Sequence, residues 1–127
     1  MRYRLSVFVV MLSLGFLTIA VAAAETKAVQ TMAGILLKLN HFPSDSEKET
    51  LKTIVEDEAT TAHEQVVAQA LMNLQHKASA DDKPKLDALL ADESVPESVK
   101  TLATIILSLE HTPTEADKEK LQALTSS

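Results

Sequence analysis

The sequence predicts an all-α fold: a short stack of three helical-hairpin repeats of period 35, either α-solenoid-like or closed into a compact six-helix bundle. Three observations carry that expectation. The windows "AGILLKLNHFPSDSEKETLKTIV" from Ala33, "AQALMNLQHKASADDKPKLDALL" from Ala68 and "ATIILSLEHTPTEADKEKLQALT" from Ala103 superpose without a gap, 35 residues apart. Five columns are identical in all three copies: Ala33/Ala68/Ala103, Leu39/Leu74/Leu109, His41/His76/His111, Lys48/Lys83/Lys118 and Leu51/Leu86/Leu121. Self-similarity at such a period marks stacked supersecondary units, each burying its apolar face on a neighbour. The second observation is that every copy holds one pattern apolar on several faces and one with a narrow apolar stripe. The third is a hydroxyl residue three before an acid at the same place in each copy, a helix-start signal: Ser44 and Glu47, Ser79 and Asp82, Thr114 and Asp117.

Taken in order, Arg2 and Arg4 precede an uncharged apolar run from Leu5 to Val21, followed by Ala22, Ala23 and Ala24. This reads as a secretory signal with an A-x-A cleavage site. The rival, an uncleaved anchor, would use a run of about 20 apolar residues as a span; the small residues before Glu25 favour cleavage. The expected organisation is a cleaved signal peptide at 1–24 and a single helical-repeat domain at 25–127, with repeats at about 29–63, 64–98 and 99–127. The expected location is periplasmic or secreted, with no stable membrane insertion after cleavage.

The first helix of copy one carries Val29, Met32, Ala33, Leu36 and Leu37 on one helical stripe, with Ile35 and Leu39 on other faces. Such a helix needs cover on more than one side. Val66, Val67, Ala70, Leu71, Met72 and Leu74 repeat the pattern in copy two, and Val99, Leu102, Ala103, Ile105, Ile106, Leu107 and Leu109 repeat it in copy three. The second helices have only Leu51, Ile54 and Val55, or Leu86, Leu89 and Leu90, against faces rich in Lys and Glu, so they belong outside. Pro43 and Pro113 stop the preceding helix. In copy two Ala78 replaces the proline, and Pro84 would stand inside a helix capped by Ser79. That helix is expected to start later, capped by Asp81 or Asp82, with Pro84 in its first turn. Thr61 with Glu64, and Ser94 with Glu97 behind Pro96, mark the starts of the inner helices of copies two and three. The polar tail "EADKEKLQALTSS" suits a terminal cap. The repeat length resembles tetratricopeptide and HEAT-type units, but the tetratricopeptide pattern of Trp, Gly, Tyr and Pro is absent. The resemblance therefore reaches the architecture and no family.

Composition excludes several functions. The whole chain carries 12 Lys+Arg and 18 Asp+Glu, a charge of −6, and losing Arg2 and Arg4 with the signal takes it to −8. Neither nucleic acid nor an anionic membrane surface suits that balance. No cysteine is present, so disulfides and lipid attachment through cysteine are excluded. Tyr3, Phe8 and Phe16 lie in the signal, leaving Phe42 as the one aromatic residue of the mature chain, and Gly34 as its one glycine. Aromatic stacking platforms and glycine-rich phosphate cradles cannot be built from these.

The recurring histidine is the main candidate for chemistry. The structural reading puts it in the last turn of the inner helix, bonding free carbonyls and meeting the negative dipole end. A transition-metal site is the sharper alternative, since neutral imidazole suits Zn, Cu and Ni. In a stack, equivalent positions lie about 8–10 Å apart, whereas zinc wants nitrogens about 2 Å from the ion. The expectation is a ladder of histidines that do not converge, and hence no metal. His41, His76 and His111, with His63 as an optional fourth, remain the candidates for one. A third reading is a pH-responsive ladder. His63-Glu64 begins an H-E-x-x-H zinc motif, but position 67 is Val67, so the motif fails and Glu64 reads as a capping residue beside an exposed histidine. The acidic runs Glu56-Asp57-Glu58 and Asp92-Glu93 sit at outer-helix C-termini, where negative charge opposes the dipole; they read as solvated, with a partner or cation surface as the alternative. No serine stands in a G-x-S-x-G elbow, and no catalytic or cofactor-binding residues are assigned.

These readings lead to a non-enzymatic exported helical-repeat protein that binds another extracytoplasmic protein, since stacked repeats offer extended surfaces. The alternatives are a small-ligand or transition-metal binder using the repeated histidines, and an inhibitor or immunity protein for an exported hydrolase. Catalysis is the least favoured class. Oligomeric state is left open.

Overall fold

Four of the six helices in the described residues begin where a side chain supplies a partner for a free N–H group. The computed structural model describes residues 25–126, so the signal segment read at residues 1–24 lies outside the described residues. Within them the chain forms α1 (Lys27–Leu37), α2 (Asp45–Glu56), α3 (Ala62–Met72), α4 (Lys83–Ala91), α5 (Glu97–Ser108) and α6 (Glu115–Thr125). The fold is all-helical, as expected. Thr26 Oγ1 accepts from Val29 N at the start of α1. At α2 and α3 the reciprocal capping box forms: Ser44 Oγ accepts from Glu47 N while Glu47 accepts from Ser44 N, and Thr61 with Glu64 does the same. Thr114 Oγ1 caps α6 through Asp117 N at 3.1 Å.

The middle copy behaves as its proline requires. Ser79 Oγ accepts from Asp82 N, but the segment from 80 to 82 is a turn, and α4 starts at Lys83 behind Asp82 with Pro84 in its first turn. At α5 the expected Ser94–Glu97 pair does not cap the helix. Pro96 occupies the N-cap, and Ser94 instead donates from N and Oγ to Asp92 Oδ1 at 2.9 and 2.7 Å. Proline fixes the entry dihedral, leaving Ser94 to complete the preceding turn.

The arrangement of the hairpins decides between the two expected architectures. The inner helices α1, α3 and α5 contact one another pairwise, and each outer helix packs most extensively on the inner helix of the next hairpin: α2 on α3, α4 on α5, and α6 on α1. The last pairing closes a ring. An open solenoid is thereby excluded, and the C-terminal helix, expected as a terminal cap, is instead the closing element. Its Leu121 is fully buried. Between the three inner helices, Ala33, Ala68 and Ala103 are also fully buried, with Met32, Val67 and Leu102 and with Leu36, Leu71 and Ile106 from equivalent turns. Alanine lets the helices meet closely, and each neighbouring large side chain contributes about 1.5–3 kcal/mol of burial. Leu39, Leu74 and Leu109 anchor the chain just beyond each inner helix, at 5%, 0% and 3% exposure.

Candidate metal centre

The corners after α1, α3 and α5 share one construction. After the buried leucine the chain makes a tight reversal, with isolated bridges pairing Asn40 with Phe42, Gln75 with Lys77 and Glu110 with Thr112. At the tip of each stands a histidine with positive φ: 78° at His41, 72° at His76 and 77° at His111. A residue with a Cβ adopts this region at a cost, and glycine is the residue that adopts it freely. Pro43, Ala78 and Pro113 are buried on the far side of the reversal. The histidines therefore do not occupy the last helical turn, as expected from sequence, but sit three or four residues past it on strained backbone.

They also do not form a ladder. The peptide groups close a cycle: His41 N donates to His111 O at 3.1 Å, His76 N to His41 O at 2.8 Å, and His111 N to His76 O at 2.7 Å. The first of these links residues 70 apart in sequence, joining the first hairpin to the third. Because the hairpins surround an axis and are not strung along one, equivalent corners meet at that axis. The 8–10 Å separation expected of a stack does not apply.

The side chains follow the backbone. Nδ1 of His41 lies 3.2 Å from Nδ1 of His76 and 3.2 Å from Nδ1 of His111, and the last two are 3.0 Å apart. The ring centroids are 4.9, 5.2 and 4.9 Å apart and meet edge to face. Nitrogens closer than their ring centres mean that all three rings turn their Nδ1 edges inward. Each such nitrogen offers either one N–H or one lone pair in the ring plane. A single proton cannot bridge three nitrogens, and facing lone pairs repel. One cation satisfies all three.

The triangle has the right size for that cation. With metal–nitrogen bonds of about 2.0–2.1 Å, the edge between two ligands is about 3.3 Å in a tetrahedral site and about 2.9 Å in an octahedral one. The observed edges fall between, and an ion at bonding distance would lie about 1 Å off the nitrogen plane. All three histidines are exposed, and among the described residues no other His, Asp or Glu joins the cluster. His63, the fourth candidate, is not brought to it.

The other singled-out residues have local roles. Glu64 caps α3 as read, but it is buried to 4% exposure and also accepts from Thr26 Oγ1 at the start of α1. The equivalent positions 35 residues either side are Val29 and Val99, each 1% exposed. His63 beside it is half-buried, not exposed. Asp57 and Asp92 are C-caps whose Oδ1 atoms accept from Ala59 N and Ser94 N at 2.9 Å, so part of each acidic run builds the turn into the next inner helix. The Ser94 bonds hold the Asp92 carboxyl below its ordinary value. A cleft of about 540 Å³ opens between α1, α2 and α3, walled by Thr31, Thr50, Thr53 and Ile54 with Glu64 at its edge.

Comparison with family models, with curated proteins and with solved structures finds no match to this chain. Among the described residues no helix is long and apolar enough to cross a membrane.

Proposed function

We propose that the protein is an exported transition-metal binder that holds one divalent first-row ion on His41, His76 and His111. The observation that carries this reading is the inward triangle of Nδ1 atoms at 3.0–3.2 Å. Imidazole ligands favour Zn, Cu and Ni over Mg and Ca. Coordination through Nδ1 leaves each Nε2 as the N–H position, facing solvent. Strained backbone recurring at all three tips supports the same reading, because backbone strain concentrates where a side chain must be presented for function. Export rests on the sequence at residues 1–24.

The interaction-module reading drew its support from the extended surface of an open stack. Packing of α6 on α1 closes the ring and removes that argument, and the histidine triangle favours the metal-binding alternative. The role is binding, with no catalytic residues assigned. Calorimetric titration of residues 25–127 with Zn²⁺, Cu²⁺ and Ni²⁺ tests it: one saturable site per chain, lost when the three histidines are replaced, is the expected result. Absence of saturable binding by any of the three ions would sink the proposal.

A further inference from the structure

The three histidines cannot complete a coordination sphere, and the surroundings indicate what does. We infer that the bound ion takes a small organic carboxylate as its external ligand, seated beside Lys48 and Phe42; this rests on the metal-binding reading above. Zinc and its neighbours require at least four donors, and the described residues supply three. The remaining donor must come from beyond the described residues. Water can serve, but the wall beside His76 is built for something larger.

A hollow of about 180 Å³ is lined by Phe42, Lys48, Gln75 and His76, so one of the three ligating rings forms part of it. Phe42 is the large apolar side chain exposed among the described residues, at 52%. Lys48 Nζ stands 5.7 Å from the Phe42 ring centroid. Lys48, like its counterpart Lys83, has no carboxylate within ion-pair distance among the described residues, whereas Lys118 pairs with Glu115 at 3.2 Å. The hollow thus offers a cation without an acidic partner, an aromatic face and an amide against one ligating histidine. A metal ion adds further positive charge. A carboxylate with a small apolar body matches all of these: the anionic end toward the ion and Lys48, the body on the Phe42 face. The corresponding tips carry Lys77 and Thr112 in place of Phe42, so the three-fold ring has one face of this kind.

The experiment uses residues 25–127 loaded with Co²⁺, whose visible spectrum reports its ligands, with loading verified first by calorimetry. Benzoate and azide are titrated into the wild type, Lys48→Gln and Phe42→Ala. Saturable spectral changes with both anions are expected in the wild type. Benzoate affinity should fall about tenfold or more in Lys48→Gln, as for loss of a charge-assisted hydrogen bond, and by a similar factor in Phe42→Ala. Azide, too small to fill the hollow, should change less, and Co²⁺ affinity should stay the same in both variants. A stoichiometric Co²⁺ complex that responds to neither anion would overturn the external position while leaving the metal site intact. Equal benzoate affinity in wild type and Lys48→Gln would overturn the hollow. Failure to load Co²⁺, Zn²⁺ or Cu²⁺ would overturn both this inference and the metal site.

Discussion

Replacing His41, His76 and His111 together by glycine separates ligand from scaffold. At each tip the backbone holds φ between 72° and 78°, a region that costs a residue with a Cβ about 1–2 kcal/mol. Glycine removes that cost and adds about 0.4–1 kcal/mol of unfolded-state entropy. The imidazoles are exposed, so little burial is lost, and loss of their edge-to-face contacts offsets part of the gain. The net for each corner lies within about 1 kcal/mol of zero, on the stabilising side. Without metal, the triple glycine variant should therefore melt at or above the wild type, and above a triple alanine variant that keeps the Cβ strain. With zinc at a hundred times its dissociation constant, the wild type gains about 2.7 kcal/mol, or about 10–20 °C in a domain of this size. The glycine variant should gain nothing. Differential scanning calorimetry of the wild type and both variants, with and without zinc, measures these differences. A metal-free glycine variant melting more than about 10 °C below the wild type would show that the imidazoles hold the fold together. Retention of the zinc shift would remove the site itself.

Leu121→Ala should cost about 2–5 kcal/mol in chemical denaturation, because Leu121 is buried in the helix that closes the ring; a terminal cap on an open stack would lose much less. Glu64→Gln should cost about 1 kcal/mol, since it withdraws the negative charge at the α3 N-terminus while keeping an acceptor for Thr61, and a variant more stable than wild type would contradict that role. The Asp92 carboxyl lies below its ordinary value through its bonds from Ser94; a depressed folded value contributes stability above the unfolded value that is lost as pH falls through the folded one. Ser94→Ala should move the Asp92 value upward by NMR titration and reduce the acid-side loss of stability, while an unmoved value would show that the backbone bond alone sets it.

The helices were legible because their determinants are local. Ser44 with Glu47 and Thr61 with Glu64 read as caps and are capping boxes; Pro84 delays α4 to Lys83 as its ring demands. The centre was not legible, because its geometry depends on how the three hairpins are arranged, and the same local sequence serves a line or a ring. Placed along a line, His41 and His76 lie a helix spacing apart; placed around an axis, they touch. One signal pointed the right way. A histidine at a reversal in all three copies, where a glycine would fit at less cost, marks a side chain required at that point.

The five identical columns divide by what the ring demands of them. Ala33, Ala68 and Ala103 lie fully buried on the three inner helices that contact one another, and Leu51, Leu86 and Leu121 seat the outer helices. Leu39, Leu74 and Leu109 hold each reversal against the core, and the histidines that follow carry the cyclic peptide bonds. Ring closure accounts for these positions, although for the histidines it accounts only for the backbone. The lysine column is different, because no packing requires it: Lys83 is exposed, Lys118 pairs with Glu115, and Lys48 stands over Phe42. Of the three, Lys48 lines the hollow beside a ligating histidine, where its charge favours an anion that arrives with the ion or after it. In a chain this acidic, cations reach the surface readily. Lys48 therefore bears on the ligand that completes the ion's coordination more than on capture of the ion.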